Sequence, residues 1–386
     1  MENKNLLEKI IEIGKKTINI IPDQKGKVQE EVVEEENVID ESTLTREERI
    51  VNKLKIKITP EISTKDKKKV EQKQKTSMLF FLDRMKEVTK SCNTRDGNNK
   101  VYDVVTQRLM DINFNITTEE AFKKRYNEGK PEYEQNNLFM PAGYYSIREN
   151  TIYMKVEPYL RENLGKGELP KMAFTTLIHE TLHAVSTNQK DKAGLMIALK
   201  NKKGDESIIG RGLNEAATVD LTEKVIGKSR VNGYSLDYKE VLNTVRSIAD
   251  VKEKEYLKMY FLDNKWYNKE LEERFNPLCE SKNSLKKIIV NYDNRSITSK
   301  FNKDVVIKNL YEGFSSNYIE KKDTEKEKYK EKFVENMSSI VDYFDADDID
   351  LQMKKYIKKA SETKLEREEK KKESKDKDQN LDDYIR

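Results

Sequence analysis

Residues 175–186 read TTLIHETLHAVS, and this stretch contains both histidines of the chain. His179 and His183 are four positions apart, and Glu180 directly follows the first. Residues four apart on an α-helix lie one turn apart on the same face, so both imidazoles can reach one metal ion. Glu180 is rotated by about 100° around the helix axis and can reach a metal-bound water instead. The spacing therefore predicts a metal-binding helix with an HExxH motif.

The neighbouring residues favour a helix from about residue 170 to 187. Pro170 is tolerated in the first turn of a helix, and an apolar stripe at helical spacing would anchor the helix to a core: Phe174, Ile178, Leu182 and Val185. The two histidines lie on the adjacent stripe. The alternative is a core helix that carries two ordinary, partly buried histidines.

A third metal ligand is needed, because a catalytic zinc site usually has three protein ligands and one position for water. The chain has no third histidine, so this ligand must be a carboxylate or a thiolate. Residues 211–227, RGLNEAATVDLTEKVIG, predict a second amphipathic helix, and Glu215 near its start is the best candidate. The alternative role for Glu215 is a favourable interaction with the positive end of the helix dipole.

The two helices together resemble a known family. HETLH at 179–183, followed by NEAATVDLTE at 214–223, resembles the gluzincins, which are zinc peptidases with two His ligands and one Glu ligand. It is also similar to the catalytic domain of anthrax lethal factor-like proteins. The resemblance covers about fifty residues, from 175 to 225. Leu182 stands where Gly is frequent, and Asp220 follows Glu215 by five positions, whereas thermolysin-like enzymes have a carboxylate at four.

The resemblance implies an α+β, zincin-like metallopeptidase domain with a small antiparallel sheet and an active-site helix. It implies a Zn²⁺ cofactor bound by His179, His183 and Glu215, and a protein or peptide substrate. Glu180 would be the general base that takes a proton from zinc-activated water. The family also uses a Tyr or His to stabilise the oxyanion. Since no histidine is left, Tyr234 or Tyr238 is the candidate, and the alternative for each is a packing tyrosine.

A β-hairpin is predicted at 144–156, YYSIRENTIYMKV, with its turn at Glu149–Asn150. In peptidases of this family an edge strand pairs with the extended substrate backbone. The segment Asn150–Lys155 is the candidate for that strand. The alternative is a hairpin that only closes the core.

The composition indicates a packed centre with charged flanks, because 37% of residues are charged and only 35% are hydrophobic. We predict a charged N-terminal extension at 1–76, the metallopeptidase domain at 77–262, and a charged, mainly helical C-terminal region with a mobile tail at 263–386. Apolar residues within 6–13 suggest a short amphipathic helix, either solvated or bound to a partner or membrane.

Other classes of protein fit less well. Basic and acidic residues, 74 and 70, are interspersed and give a net charge of only +4. This argues against a dedicated nucleic-acid binder and gives no support for strong electrostatic attachment to anionic membranes. The best apolar run, Met78–Leu82, is far shorter than the roughly 20 residues of a membrane span. The N-terminus lacks the apolar stretch of a signal peptide, so a cytoplasmic location is expected, with leaderless export left open.

The two cysteines, Cys92 and Cys279, form no CxxC pair, which excludes a cysteine-based zinc ribbon. Two free thiols are expected, with one long-range disulfide as the alternative. The sequence does not indicate an oligomeric state.

Two other functions stay open. One is a catalytically silent scaffold or interaction protein with a metallopeptidase-like fold, against which the intact Glu180 argues. The other is a regulatory peptidase of the ImmA/IrrE type that cleaves a repressor, which also uses HExxH with an acidic third ligand. The long flanks fit that class less well.

Overall fold

The structure is a computed structural model. It describes residues 43–129, 140–161, 169–189, 192–200, 206–227, 236–262, 266–277, 284–297, 303–340 and 346–385. The amphipathic segment predicted within 6–13, Tyr234 and Cys279 lie outside these ranges. The chain divides after Leu44, and the description below concerns the unit Thr45–Arg386.

The molecule belongs to the α+β class, as predicted: it is mostly helical (71%) with a small mixed sheet. Its helices are α1 (Arg46–Asn52), α2 (Thr64–Val88), α3 (Lys100–Asp111), α4 (Glu119–Asn127), α5 (Glu157–Leu160), α6 (Lys171–Ser186), α7 (Arg211–Ile226), α8 (Leu236–Ile248), α9 (Glu253–Phe261), α10 (Lys269–Phe275), α11 (Ser284–Ile297), α12 (Lys303–Tyr318), α13 (Asp323–Ile340) and α14 (Ala346–Ile385). Its strands are β1 (Lys55–Ile58), β2 (Asn113–Thr117), β3 (Gly143–Ser146), β4 (Thr151–Lys155), β5 (Thr187–Gln189), β6 (Lys192–Ala193), β7 (Ile197–Lys200) and β8 (Glu206–Ile209).

The main sheet has the order β1-β2-β4-β3 and is mixed. Strands β1, β2 and β4 are parallel, and only β3 is antiparallel to its neighbour β4. The predicted antiparallel sheet is therefore correct only for the hairpin. The reason is that helices lie between β1 and β2, and that the chain leaves β2 through α4 and reaches β4 by way of β3. Long crossovers allow parallel neighbours, whereas the tight turn between β3 and β4 produces an antiparallel pair. Asn150 sits in that turn with φ of 47°, a left-handed conformation that Asn tolerates.

The predicted substrate-pairing strand is not at an edge. Residues Thr151–Lys155 form β4, which pairs with β2 on one side and with β3 on the other. Its backbone groups are therefore used inside the sheet, and the assignment of Asn150–Lys155 as an edge strand is wrong. The edge strand that packs against α6, the helix with the two histidines, is β3. A turn signal in the sequence identifies a hairpin but not which of its strands has a second neighbour.

Helix α6 occupies the position that the sequence predicted, and it is more deeply buried than an amphipathic helix. Ile178, Leu182 and Val185 of the predicted stripe are fully buried, and Phe174 is partly buried. From Leu177 to Ser186 every residue except Glu180 is buried. Arg108 of α3 donates to the carbonyl of Val185 (2.9 Å) and to that of Phe261 (2.8 Å), which joins the end of α6 to α9.

The predicted division into extension, domain and tail differs from the observed packing. Helix α2 runs through the predicted boundary at residue 76, and its Val70 is fully buried, so residues from Thr45 onward belong to the compact unit. Among the described residues there is also no division at residue 262, because α11 packs on α7 and α13 packs on α8. The many charged residues of this region are the reason that the sequence predicted a separate C-terminal flank. The predicted mobility of the tail stays a prediction, and α14 continues as a helix to Ile385.

Two further predictions meet the structure only in part. Cys92 is a buried free thiol, and its relation to Cys279 lies outside the described residues. Among the helices that the structure describes, none combines the length and the apolar character needed to cross a bilayer.

Candidate metal centre

The two histidines of the HExxH motif point at a common position. On α6 the Nε2 atoms of His179 and His183 lie 3.1 Å apart, and their rings are nearly perpendicular, at 81°. Both side chains are almost entirely removed from solvent. The four-residue spacing therefore brings the two Nε2 atoms together, as the sequence predicted, and both lie inside the protein.

Helix α7 brings Glu215 to the same position. One carboxylate oxygen lies 3.4 Å from His179 Nε2, and the other lies 3.2 Å from His183 Nε2. About half of the Glu215 side chain, 47%, is exposed, so the position opens toward solvent on this side. The structure therefore brings together all three predicted ligands, and these three side chains can hold a metal ion.

The separations suit one shared cation. The two Nε2 atoms are 3.1 Å apart, and each lies 3.2–3.4 Å from a different oxygen of the Glu215 carboxylate. With one ligand atom taken from each residue, all three lie within 4.8 Å of one another. Glu215 and His183 also shift one another's pKa. Desolvation acts to raise the pKa of Glu215, but the adjacent imidazoles hold it well below its ordinary value. Burial acts to lower the pKa of His183, and the Glu215 carboxylate raises it.

Glu180 lies beside this group and is held by the sheet. Its Oε2 accepts a hydrogen bond of 2.8 Å from the backbone N–H of Tyr145 on β3. It is not one of the three converging side chains, in agreement with its rotation of about 100° along the helix. Burial raises the pKa of Glu180, and the Glu215 carboxylate adds to that effect.

The outer nitrogens of both histidines face hydroxyl groups of α7. Thr218 Oγ1 lies 3.3 Å from His183 Nδ1, and Thr222 Oγ1 lies 3.4 Å from His179 Nδ1. Tyr260 of α9 contacts Thr218 through its own hydroxyl at 2.7 Å. Sequence reasoning did not assign any of these three a role. The spacing of the two threonines, four residues apart like the histidines, was the available signal.

Asp220 takes no part in this arrangement. It is buried, and its Oδ2 lies 2.8 Å from the ammonium of Lys224, in an ion-pair cluster that includes Arg246 and Glu253. At five positions after Glu215, Asp220 therefore pairs with Lys224 and not with the histidines. Of the predicted oxyanion tyrosines, Tyr234 and the side chain of Tyr238 lie outside the described residues.

The short segment that contains Gly194 and Leu195 packs against the start of α7. Leu195 donates its N–H to Asn214 Oδ1 (2.9 Å), which fixes the first turn of α7. Gly194, with φ of 51°, passes so close that an added Cβ would lie 2.1 Å from Asn214 Oδ1 and 2.6 Å from the Tyr260 ring. Only glycine fits there without displacing the residues behind the histidines.

No protein-family model, no curated protein and no solved structure matches this chain. The resemblance to gluzincins therefore stays a prediction.

Proposed function

We propose that this chain is a zinc-dependent peptidase of the gluzincin type. The observation that carries the proposal is the convergence of two Nε2 atoms and one carboxylate within 3.1–3.4 Å of one another. Electron-rich atoms that face one another need a cation between them. A shared proton can satisfy two of the three, whereas a metal ion satisfies all three, and a His₂Glu set is typical of zinc.

Glu180 is proposed as the general base. When bound, zinc supplies Lewis-acid chemistry, which activates a water molecule and polarises the scissile carbonyl. The Tyr145 N–H holds Glu180 Oε2 at 2.8 Å, so the carboxylate is oriented and its Oε1 is left to accept the water proton. The same carboxylate can then deliver that proton to the leaving amine.

Strand β3 is proposed as the place where an extended substrate binds. It is at the edge of the sheet and against α6. In an antiparallel pair the backbone groups of alternate residues point away from the partner strand. Lys155 donates to Ala142, so the backbone groups of Gly143 and the carbonyl of Tyr145 face the edge that has no partner strand among the described residues, while the Tyr145 N–H is taken by Glu180. A peptide paired there would run past Glu180, which the Tyr145 N–H holds.

The proposal is tested by zinc content and by cleavage of a mixed peptide library. Wild type should contain about one zinc per chain. His183→Ala and Glu215→Ala should lose zinc and activity, because each removes a ligand. Glu180→Gln should keep zinc and lose hydrolysis, because the amide cannot accept a proton. Glu223→Gln is the matched control, since Glu223 is on α7 but pairs with Lys239.

Two results contradict the proposal: wild type without zinc after careful purification, or Glu180→Gln cleaving at the wild-type rate. If wild type holds zinc and cleaves nothing in the library, the substrate is a specific protein or the protein is a scaffold. Retention of a substrate from cell extract by Glu180→Gln, followed by its cleavage by wild type, then distinguishes the peptidase from the scaffold.

A further inference from the structure

A polar stripe on α7 faces the two histidines turn by turn. Asn214, Thr218 and Thr222 are four residues apart, so they lie on one face of the helix. Thr218 meets His183 and Thr222 meets His179, so the two helices run in opposite directions with matching repeats. All three residues of this α7 polar stripe are buried. Polar groups in such a position need hydrogen-bond partners, and the histidines provide them.

The threonine hydroxyls also bond to the backbone of their own helix. Thr218 donates to the carbonyl of Asn214 (2.8 Å), and Thr222 donates to the carbonyl of Thr218 (2.6 Å). A threonine oxygen that donates in this way can still accept from a histidine Nδ1–H. Asn214 Nδ2 also lies 3.3 Å from His183 Nδ1, so Asn214 and Thr218 together face that ring. Both Nε2 atoms are turned toward Glu215.

Tyr260 provides a further hydrogen-bond partner for Thr218. Because the Thr218 hydrogen goes to the Asn214 carbonyl, the 2.7 Å contact with Tyr260 is an O–H donated by tyrosine. The Thr218 oxygen thus makes one donated and two accepted hydrogen bonds, which is its full capacity. Tyr260 is fully buried and contacts Thr218, so it supports the hydroxyl that faces His183.

We propose that Thr218 and Thr222, with Tyr260 behind Thr218, are positioning residues that hold the imidazole rings of His183 and His179 from their Nδ1 side, so that both Nε2 atoms are presented to a metal ion. This inference rests on the proposed function, because it concerns the same metal. Metal-binding histidines commonly donate their second nitrogen to a carboxylate, a carbonyl or water. Here neutral hydroxyls take that place, and the nearby carboxylate of Asp220 is paired with Lys224. The only carboxylates close to the ion are then Glu215 and Glu180 among the described residues.

The test measures the zinc dissociation constant by competition with a chelator. Thr218→Val and Thr222→Val keep the shape of the side chain and remove the acceptor, so zinc binding should weaken about 10–100-fold. Thr218→Ser and Thr222→Ser keep the hydroxyl and should bind within a few-fold of wild type. Thr244→Val is the control, because Thr244 is equally buried and its hydroxyl bonds to the Glu240 carbonyl of its own helix.

The outcomes separate the two proposals. If wild type does not bind zinc, the proposed function and this inference both fail. If wild type binds zinc and both valine variants bind within about twofold of it, only this inference is overturned. Serine variants that lose zinc as severely as the valine variants would also overturn it, because the methyl packing, not the hydroxyl, would then be responsible.

Discussion

Asp293 on α11 lies in the region that the sequence assigned to a charged flank, and its carboxylate is bonded to the start of α7. Its oxygens accept hydrogen bonds from the N–H groups of Gly210 (2.6 Å) and Gly212 (3.0 Å). These donors belong to the first turn of a helix, where backbone N–H groups have no partner within the helix. Asp293→Ala should therefore destabilise the fold and disturb Glu215 a few residues further on.

The expected loss can be derived from those two bonds. Hydrogen bonds to charged groups contribute about 1.5–3 kcal/mol each, and a buried donor left without a partner costs about 1–3 kcal/mol. Desolvation raises the pKa of Asp293, so part of the gain offsets the burial of its charge. Two donors left without a partner would cost about 2–6 kcal/mol together, so we expect the free energy of unfolding to fall by about 2–4 kcal/mol, in the lower part of that range.

The assay is urea unfolding of metal-free protein, followed by zinc affinity of the same variants. Asp304→Ala is the control, because Asp304 is an exposed aspartate in the first turn of α12. Its loss should cost less than about 1 kcal/mol. Asp293→Ala should also bind zinc more weakly, whereas Asp304→Ala should not. A free energy of unfolding for Asp293→Ala within about 0.5 kcal/mol of the Asp304→Ala value would refute the argument.

Three other predictions follow from the packing. Limited proteolysis should leave a resistant fragment that begins near Thr45, as mass spectrometry would identify; a fragment beginning near residue 77 would instead support the sequence-based boundary. Gly194→Ala should lower the free energy of unfolding by about 2–4 kcal/mol, because it combines a strained φ with a collision with Asn214; an unchanged urea midpoint would contradict this. Desolvation acts to raise the pKa of Glu253, but hydrogen bonds and charges from Lys224 and Arg246 bring that pKa below 4.5. The ionised Glu253 therefore stabilises the fold above pH 4.5, and this contribution is lost as the pH falls through the lowered pKa. Glu253→Gln should show a shallower loss of stability on acidification, and identical pH profiles would exclude the ion pairs as its cause.

The sequence alone determined the parts of this protein that depend on local spacing. His179 and His183 converge because a helix repeats every 3.6 residues, and the same rule places Glu180 to one side. The hairpin around Asn150 follows from alternation and a turn-compatible dipeptide, both confined to a dozen residues. Glu215 was reached by elimination, since a metal needs a third ligand and no histidine was left.

Only the tertiary structure decided which distant segments meet. The order of strands places β3 rather than β4 at the edge, because β2 pairs with the other side of β4. No local sequence pattern encodes that pairing. The attachment of Asp293 to Gly210 spans 83 residues, and the contact of Tyr260 with Thr218 spans 42. Such contacts depend on complementary shape and on hydrogen-bond partners in another element, whereas a helical or strand period is a property of the chain by itself.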